Sequence, residues 1–279
     1  MTKNPNSSAK TDNIKGGEFL LKESSIHDTY IPEEFTEEQL MVQTMCIDFA
    51  KEIADRSGLL EAQVELLDQA GDLGLLGSHI PEEHGGMGMD THTNTLICAE
   101  LGAISGGWTT SFAAHTGIGT LPILYFGNAE QKAKYLPKLA SGALKAAYCL
   151  TEPSSGSDAL AAKTKAELTS DGKHYLLNGQ KMWISNAGFA DIFIVFAQVE
   201  GTHFTGFIVE KGTDGMSLGA EERKLGIKGS STRQVFFENA KIPVENLLGD
   251  LGKGHLIAFN ILNVGRFKLG ALSLGGAKS

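Results

Sequence analysis

The chain has 279 residues, 42% hydrophobic and 20% charged, with a formal net charge of −9; at roughly 150 residues per domain this is material for about two cores. Twenty-four basic against 33 acidic residues, with no block rich in Lys or Arg, exclude the electrostatic footprint of a nucleic-acid or anionic-membrane binder. Purely apolar runs stay short, as in Ile192 to Ala197, far below the roughly 20 residues of a bilayer-spanning helix.

Residues 1–28 are rich in Ser, Asn, Thr and Lys and hold neither an apolar signal core nor an Arg-rich amphipathic presequence; they read as a mobile leader. Thr36-Glu37-Glu38-Gln39 then has capping-box form, and Met41, Met45, Phe49 and Ile53 repeat every four residues as an apolar stripe. Further helices are predicted over 60–74 (Val64, Leu67, Ala70, Leu73), 90–103, 107–118, and 129–140 after Asn128. Short Gly-rich loops join them, as in an antiparallel bundle. Cys46, Cys98 and Cys149 lie far apart, which suits a reducing compartment rather than a disulfide scaffold or a zinc site.

Near Tyr148 the hydrophobic period changes from about 3.6 to 2. Strands are predicted over 163–168, 174–177, 181–185, 191–200, 203–210 and 232–238, with Asp171-Gly172 and Asn178-Gly179 as hairpin signals. No helix-length segment separates them, so a βαβ parallel sheet is excluded and a compact antiparallel barrel or sandwich is expected. After Pro243 a helix carries Leu256, Phe259, Asn260 and Asn263 to Gly265-Arg266. With no later helices to pack on, it reads as the start of a further helical domain in a longer protein.

Dinucleotide (GxGxxG) and P-loop signatures are absent. Gly215 to Gly219 matches GxSxG, but no helix follows the serine as a nucleophile elbow requires, so a Gly-rich turn is expected. His79 and His84 are five apart with Pro81 between them, which makes a loop and no metal site. His115 and His255 read as core or rim histidines. The run Tyr148 to Asp158 (YCLTEPSSGSD) carries hydroxyls at 148, 151, 154, 155 and 157 with little bulk. Such a segment can present amides and hydroxyls to a polar ligand, or simply link two domains. Lys181 to Asn186 (KMWISN) puts Trp183 on a strand end beside Ser185 and Asn186; a strand tryptophan is more often core than ligand platform.

Taken in order, these segments resemble the acyl-CoA dehydrogenase family over nearly all of the chain from about residue 35. Gly74 to Gly88 (GLLGSHIPEEHGGMG) and Asn128 to Pro137 (NAEQKAKYLP) look like its first-domain signatures. YCLTEPSSGSD followed by KMWISN is similar to its flavin-binding pair. With Ile261 to Phe267 (ILNVGRF) these look most like the very-long-chain branch.

The resemblance implies an α+β fold: an N-terminal all-helical domain (29–145), a middle antiparallel β-barrel or sandwich domain (146–250), and the first helix of a C-terminal bundle (251–279). FAD would lie against Tyr148, Cys149, Leu150, Thr151, Ser155, Gly156, Ser157, Trp183, Ile184 and Ser185. Ser157 and Arg266 would meet acyl-CoA. The implied activity is dehydrogenation of long-chain acyl-CoA to trans-2-enoyl-CoA in fatty acid β-oxidation, with electrons passed to an electron-transfer flavoprotein. No catalytic base is expected within the chain: in the family it is a Glu of the C-terminal bundle, and the Glu of the TEP motif, here Glu152, is structural. The alternatives are an acyl-CoA oxidase or a non-catalytic flavin- or acyl-CoA-binding module. A homo-oligomer built through the bundle, and the cytoplasm rather than a mitochondrial matrix, complete the expectations.

Overall fold

The computed structural model describes residues 17–23, 25 and 30–279, so the leader expected over 1–28 lies largely outside the described residues. Helix α1 (Glu37–Ile53) starts where its capping box places it. The Thr36 hydroxyl accepts the Gln39 amide at 3.2 Å, and the Gln39 side chain accepts the Thr36 amide at 3.0 Å. Its buried face is Val42, Cys46, Phe49 and Ile53, whereas Met41 is 67% exposed. A strict i+4 stripe advances about 40° per step, so Met41 sits about 120° around the helix from Ile53 and leaves the core.

The remaining helices are α2 (Gln63–Asp72), α3 (Thr91–Leu101), α4 (Gly106–Ala113), α5 (Leu121–Phe126) and α6 (Ala129–Ala140). The helix expected over 60–74 is shorter, with Leu66, Leu67 and Ala70 inward and Val64 and Leu73 exposed. The one expected over 107–118 passes from α4 into a π-helical turn at Ala114–Gly119, and α5 was not anticipated. His115 fixes that turn. Its Nδ1 accepts the Ala146 amide at 3.1 Å, which leaves Nε2 to donate to the Leu139 carbonyl at 3.0 Å. The ring is therefore neutral, fully buried, and joins α6 to the first strand.

Strands β1 (Ala146–Cys149), β2 (Lys165–Leu168), β3 (His174–Ser185), β4 (Ile192–Val199), β5 (His203–Glu210), β6 (Met216–Leu218), β7 (Thr232–Pro243) and β8 (Leu247–Leu248) form one sheet. Its order is β6-β7-β3-β2-β4-β5-β8, with β1 also on β4. Most pairings are antiparallel, as expected, but β1 and β2 both run parallel to β4 and share one of its edges. Strand β4 is buried on both faces, which explains its unbroken apolar run. Ile192, Ile194 and Phe196 face a core shared with α5, α6 and the next helix. Phe193, Val195 and Ala197 face β3 and β7.

Asp171-Gly172 does turn between β2 and β3. Asn178-Gly179 does not: β3 continues through it to Ser185, with a register shift against β7 between Leu177 and Gly179. The glycine is needed for close packing, since a Cβ there would lie 2.5 Å from the Thr164 hydroxyl.

Helix α7 (Gly254–Lys278) closes the described chain. Contrary to the sequence expectation it does have packing partners, running along α3 with the two backbones almost touching. A Cβ on Gly102 would meet the Leu272 carbonyl at 2.2 Å, and one on Gly275 would meet the Ala99 carbonyl at 2.0 Å. Its other face exposes Leu256, Phe259, Phe267, Leu269 and Leu274.

Burial pushes the His115 imidazole down to about 4 from an ordinary 6.5. The unfolded chain therefore takes up this proton before the folded one does. Stability is full above pH 6.5 and falls as the pH drops toward 4, by about 1.4 kcal/mol per pH unit for this group. Urea titrations at pH 7, 6 and 5 should show that slope, and His115→Gln should remove one proton's worth of it.

Candidate functional site

The chain leaves β1 at Leu150 and returns to β2 through a short turn at Ala159–Ala161. Glu152 and Ser155 exchange backbone hydrogen bonds at 2.9 and 3.2 Å around Pro153-Ser154, and the Ser155 hydroxyl donates to the Asp158 carbonyl at 2.7 Å. The loop is thus closed on itself. It is joined to the second candidate segment by the Met182 amide, which donates to the Thr151 carbonyl at 2.9 Å.

Beneath that contact lies a buried ion pair. Lys181 Nζ donates to Glu152 Oε1 at 2.7 Å and to the Leu150 carbonyl at 3.3 Å. The Glu152 carboxylate also accepts the Lys163 amide at 2.6 Å and the Thr164 amide at 3.1 Å. The side chains are 0% and 4% exposed. Burial by itself would raise the Glu152 carboxyl, but the Lys181 ammonium and these amides hold it below its ordinary range. Burial pulls Lys181 down against the attraction of Glu152. Both carboxylate oxygens are engaged, so Glu152 is a structural group and not a free base.

Directly after Lys181 the strand bulges: Lys181 faces Val235 and Ile184 faces Arg233, so the register with β7 slips by one. Trp183 occupies the bulge with φ 57 and is 61% exposed. A bulky residue in the left-handed region costs about 1–3 kcal/mol, and such residues cluster at active sites and ligand clamps. Asn186 follows with φ 66, fully buried. Its amide donates to the Ser231 carbonyl at 3.0 Å, and its side chain donates to the carbonyls of Ser111 and Ala146 at 2.9 and 3.3 Å. It ties the bulge to α4 and β1.

The candidate residues divide by exposure. Tyr148, Cys149, Leu150 and Ile184 are buried; the Tyr148 hydroxyl donates to the Ala258 carbonyl of α7 at 3.3 Å, and burial pushes the Cys149 thiol up to about 12. These four can offer only backbone to a ligand, and the Ser155 hydroxyl is spent within the loop. Gly156, Ser157 and Trp183 are exposed, and Thr151 and Ser185 half-buried. The hydroxyls of Thr151, Ser157 and Ser185 make no hydrogen bond among the described residues. Arg266 lies on the exposed side of α7, its guanidinium on the Asn263 side chain at 2.7 Å, with no hydrogen bond to the loop among the described residues.

Sequence reasoning singled out neither Lys181 nor Asn186 as a functional residue. The signal available was a lone lysine among the inward-facing positions of its strand, otherwise Tyr175, Leu177 and Ile184, which demands a buried partner. Of the rejected motifs, Gly215 to Gly219 surrounds the edge strand β6 and so forms no nucleophile elbow. No metal-holding cluster of His, Cys, Asp or Glu occurs among the described residues.

Lys181→Met leaves a buried carboxylate without its cation and should cost about 3–5 kcal/mol. Adding Glu152→Gln should recover part of that loss, and equilibrium urea unfolding of the four proteins of the cycle measures it. The Glu152 contribution is full above the ordinary carboxyl value of 4.5 and disappears as pH falls below it through the depressed native value.

Residues 36–143 match the family model of the acyl-CoA dehydrogenase N-terminal domain, and residues 147–240 match that of the acyl-CoA dehydrogenase middle domain. A probable acyl-CoA dehydrogenase of Bacillus subtilis is 51% identical over 95% of this chain and 45% of its own length. The human mitochondrial very long-chain specific acyl-CoA dehydrogenase is 46% identical over 73% of this chain and 32% of its own. A crystal structure of a Bacillus anthracis acyl-CoA dehydrogenase complexed with FAD superposes with a TM-score of 0.90 at 50% identity, covering 94% of this chain and 47% of that one. The chain therefore spans about half the length, or less, of these relatives. On both domain models and on this likeness, it belongs to the acyl-CoA dehydrogenase family.

Proposed function

We propose that the seam between Tyr148–Ser157 and Trp183–Ser185 binds FAD, and that the chain forms part of a long-chain acyl-CoA dehydrogenase that makes trans-2-enoyl-CoA. The observation that carries this reading is Trp183. A large aromatic is held in a left-handed backbone and projected into solvent at the junction of the two segments, which is a poor use of a core residue and a good one for a flat ring system. The groups beside it fit a flavin's polar edge: the unpaired hydroxyls of Thr151 and Ser185, and the open backbone at Gly156, where a Cβ would meet nothing within 4 Å. The FAD in the Bacillus anthracis relative and the very-long-chain specificity in the human relative's name support the cofactor and the substrate class.

Bound there, FAD would accept the hydride from the β-carbon of a saturated acyl thioester. The chain's own part is placement. Thr151, Ser185 and backbone amides hold the polar edge, Trp183 covers the ring, and exposed Ser157 with Arg266 is available to acyl-CoA. Removal of the α-proton needs a carboxylate free to accept it, and Glu152 is not free. The base of the complete enzyme is therefore assigned to a carboxylate other than Glu152. Electron transfer to an electron-transfer flavoprotein, a homo-oligomeric assembly and a cytoplasmic location belong to the same reading. No described helix is long and apolar enough to cross a membrane.

The chain has two tryptophans, and Trp108 is fully buried, so exposed Trp183 reports on the seam. Titration with FAD should quench its emission. Trp183→Ala should weaken FAD binding by about tenfold, the order of losing one aromatic contact; an FAD affinity unchanged in that variant rules the seam out. Anaerobic addition of palmitoyl-CoA to the FAD-loaded chain should leave the visible flavin absorption intact. Bleaching would place a working base within these 279 residues.

A further inference from the structure

Helix α7 carries a second feature that the flavin seam does not use. Between α3, α5 and α7 lies a cavity of about 320 Å³ whose walls include His79, Asn94, Tyr125, Val264, Phe267 and Lys268. None of its lining residues is among the candidate flavin residues, and none is an aspartate or glutamate. In a chain of net charge −9, the ionisable carbon–nitrogen groups on this wall are a histidine and a lysine.

Lys268 is 6% exposed. Its one hydrogen bond is to the Thr116 carbonyl, at 3.5 Å, and no carboxylate pairs with it among the described residues. A desolvated ammonium without a counter-charge is expensive. His79 adds a second vacancy, since its Nδ1 is buried and has no hydrogen-bond partner. Of the other polar lining residues, Thr91, Tyr125 and Asn263 are exposed to solvent, and Asn94 and Thr95 bond locally. The Asn94 amide donates to the carbonyls of Met89 and Asp90, both at 2.9 Å, and the Thr95 hydroxyl to that of Thr91 at 2.7 Å. Among the buried polar atoms of the wall, the unspent capacity is thus one cation and one imidazole. The exposed lining carries two aromatic rings, Tyr125 and Phe267, 52% and 54% exposed, beside Thr91 and Asn263.

We propose that this cavity binds an alkyl carboxylate head-first, its carboxylate on Lys268 and His79 and its chain leaving between Tyr125 and Phe267. The carboxylate supplies the counter-charge that Lys268 lacks and accepts from the His79 ring. The alkyl chain covers the two exposed aromatics. At about 30 Å³ per heavy atom, the order of a water molecule's share of liquid volume, the cavity holds about ten heavy atoms, the size of a carboxylate of about eight carbons. Burial and the neighbouring Lys268 push His79 down to about 3, so the imidazole meets the ligand neutral, as a donor. Burial likewise lowers Lys268, and an entering anion is what would keep it charged.

Calorimetric titration of the 279-residue chain with octanoate tests the site. Binding is expected for octanoate, with octanamide and acetate at least about tenfold weaker, because one lacks the charge and the other the chain. Lys268→Met should abolish octanoate binding. Should that variant fail to fold, exposed Phe267→Asp sets a like charge at the mouth and should weaken octanoate about tenfold, while Phe267→Lys should not. Octanamide binding as tightly as octanoate, equal affinity in Phe267→Asp, or no heat at millimolar octanoate would each overturn the proposal. FAD titration of the same Phe267 variants should be unchanged, which separates this site from the flavin seam.

Discussion

One desolvated ion pair organises the part of the molecule that matters for function. Glu152 and Lys181 come from segments 29 residues apart in sequence, and neither could be buried without the other. Their hydrogen bonds reach the backbone at Leu150, Lys163 and Thr164, so the pair fixes both ends of the loop as well as the strand beside it. A hydrophobic pair of similar volume could match the stability. It would not set the direction of three backbone groups at once, and it is that direction which leaves Thr151 and Trp183 at the surface.

The cores on either side follow from the same economy. Strand β4 sends alternate residues to the helices and to the sheet interior, so the helical and β parts share one strand rather than meeting at a detachable interface. Buried Asn186 repeats the arrangement in polar form, bonding α4 and β1 through its side chain and the β6–β7 connection through its backbone N–H. The site therefore lies where the two parts are least able to move independently, which is what a preformed ligand surface needs.

Much of this architecture was legible in the residues themselves. The change of period near Tyr148, the capping box at Thr36, the helix start after Asn128 and the turn at Asp171-Gly172 are local signals, and the structure has each of them. What was not legible depends on tertiary partners. Met41 belongs to the stripe by spacing but not by helical angle. Asn178-Gly179 has hairpin chemistry, yet β7 supplies a continuous partner across it, and the glycine serves the approach of Thr164 instead. The parallel pairings on β4 join strands too distant in sequence for any window to see. The α7 packing rests on two glycines whose value appears only when α3 lies against them. For the candidate site, the residues that face outward were named from motif resemblance, whereas the pair that holds them in place was hidden by its separation.

Strands β1 and β2 dock on the same edge of β4, the first opposite Ile192 to Val195 and the second opposite Gln198 and Val199. Residues 150–164 thus leave that edge and return to it with only Phe196 and Ala197 between the two attachment points on β4. The loop is a handle whose two ends share one edge of β4, braced from the side by β3. Its outer rim, from Pro153 to Asp158, can lengthen, shorten or change chemistry without altering the register of any strand, provided Glu152 keeps its place at the base. A family built on such a handle can vary what it grips while inheriting its frame unchanged.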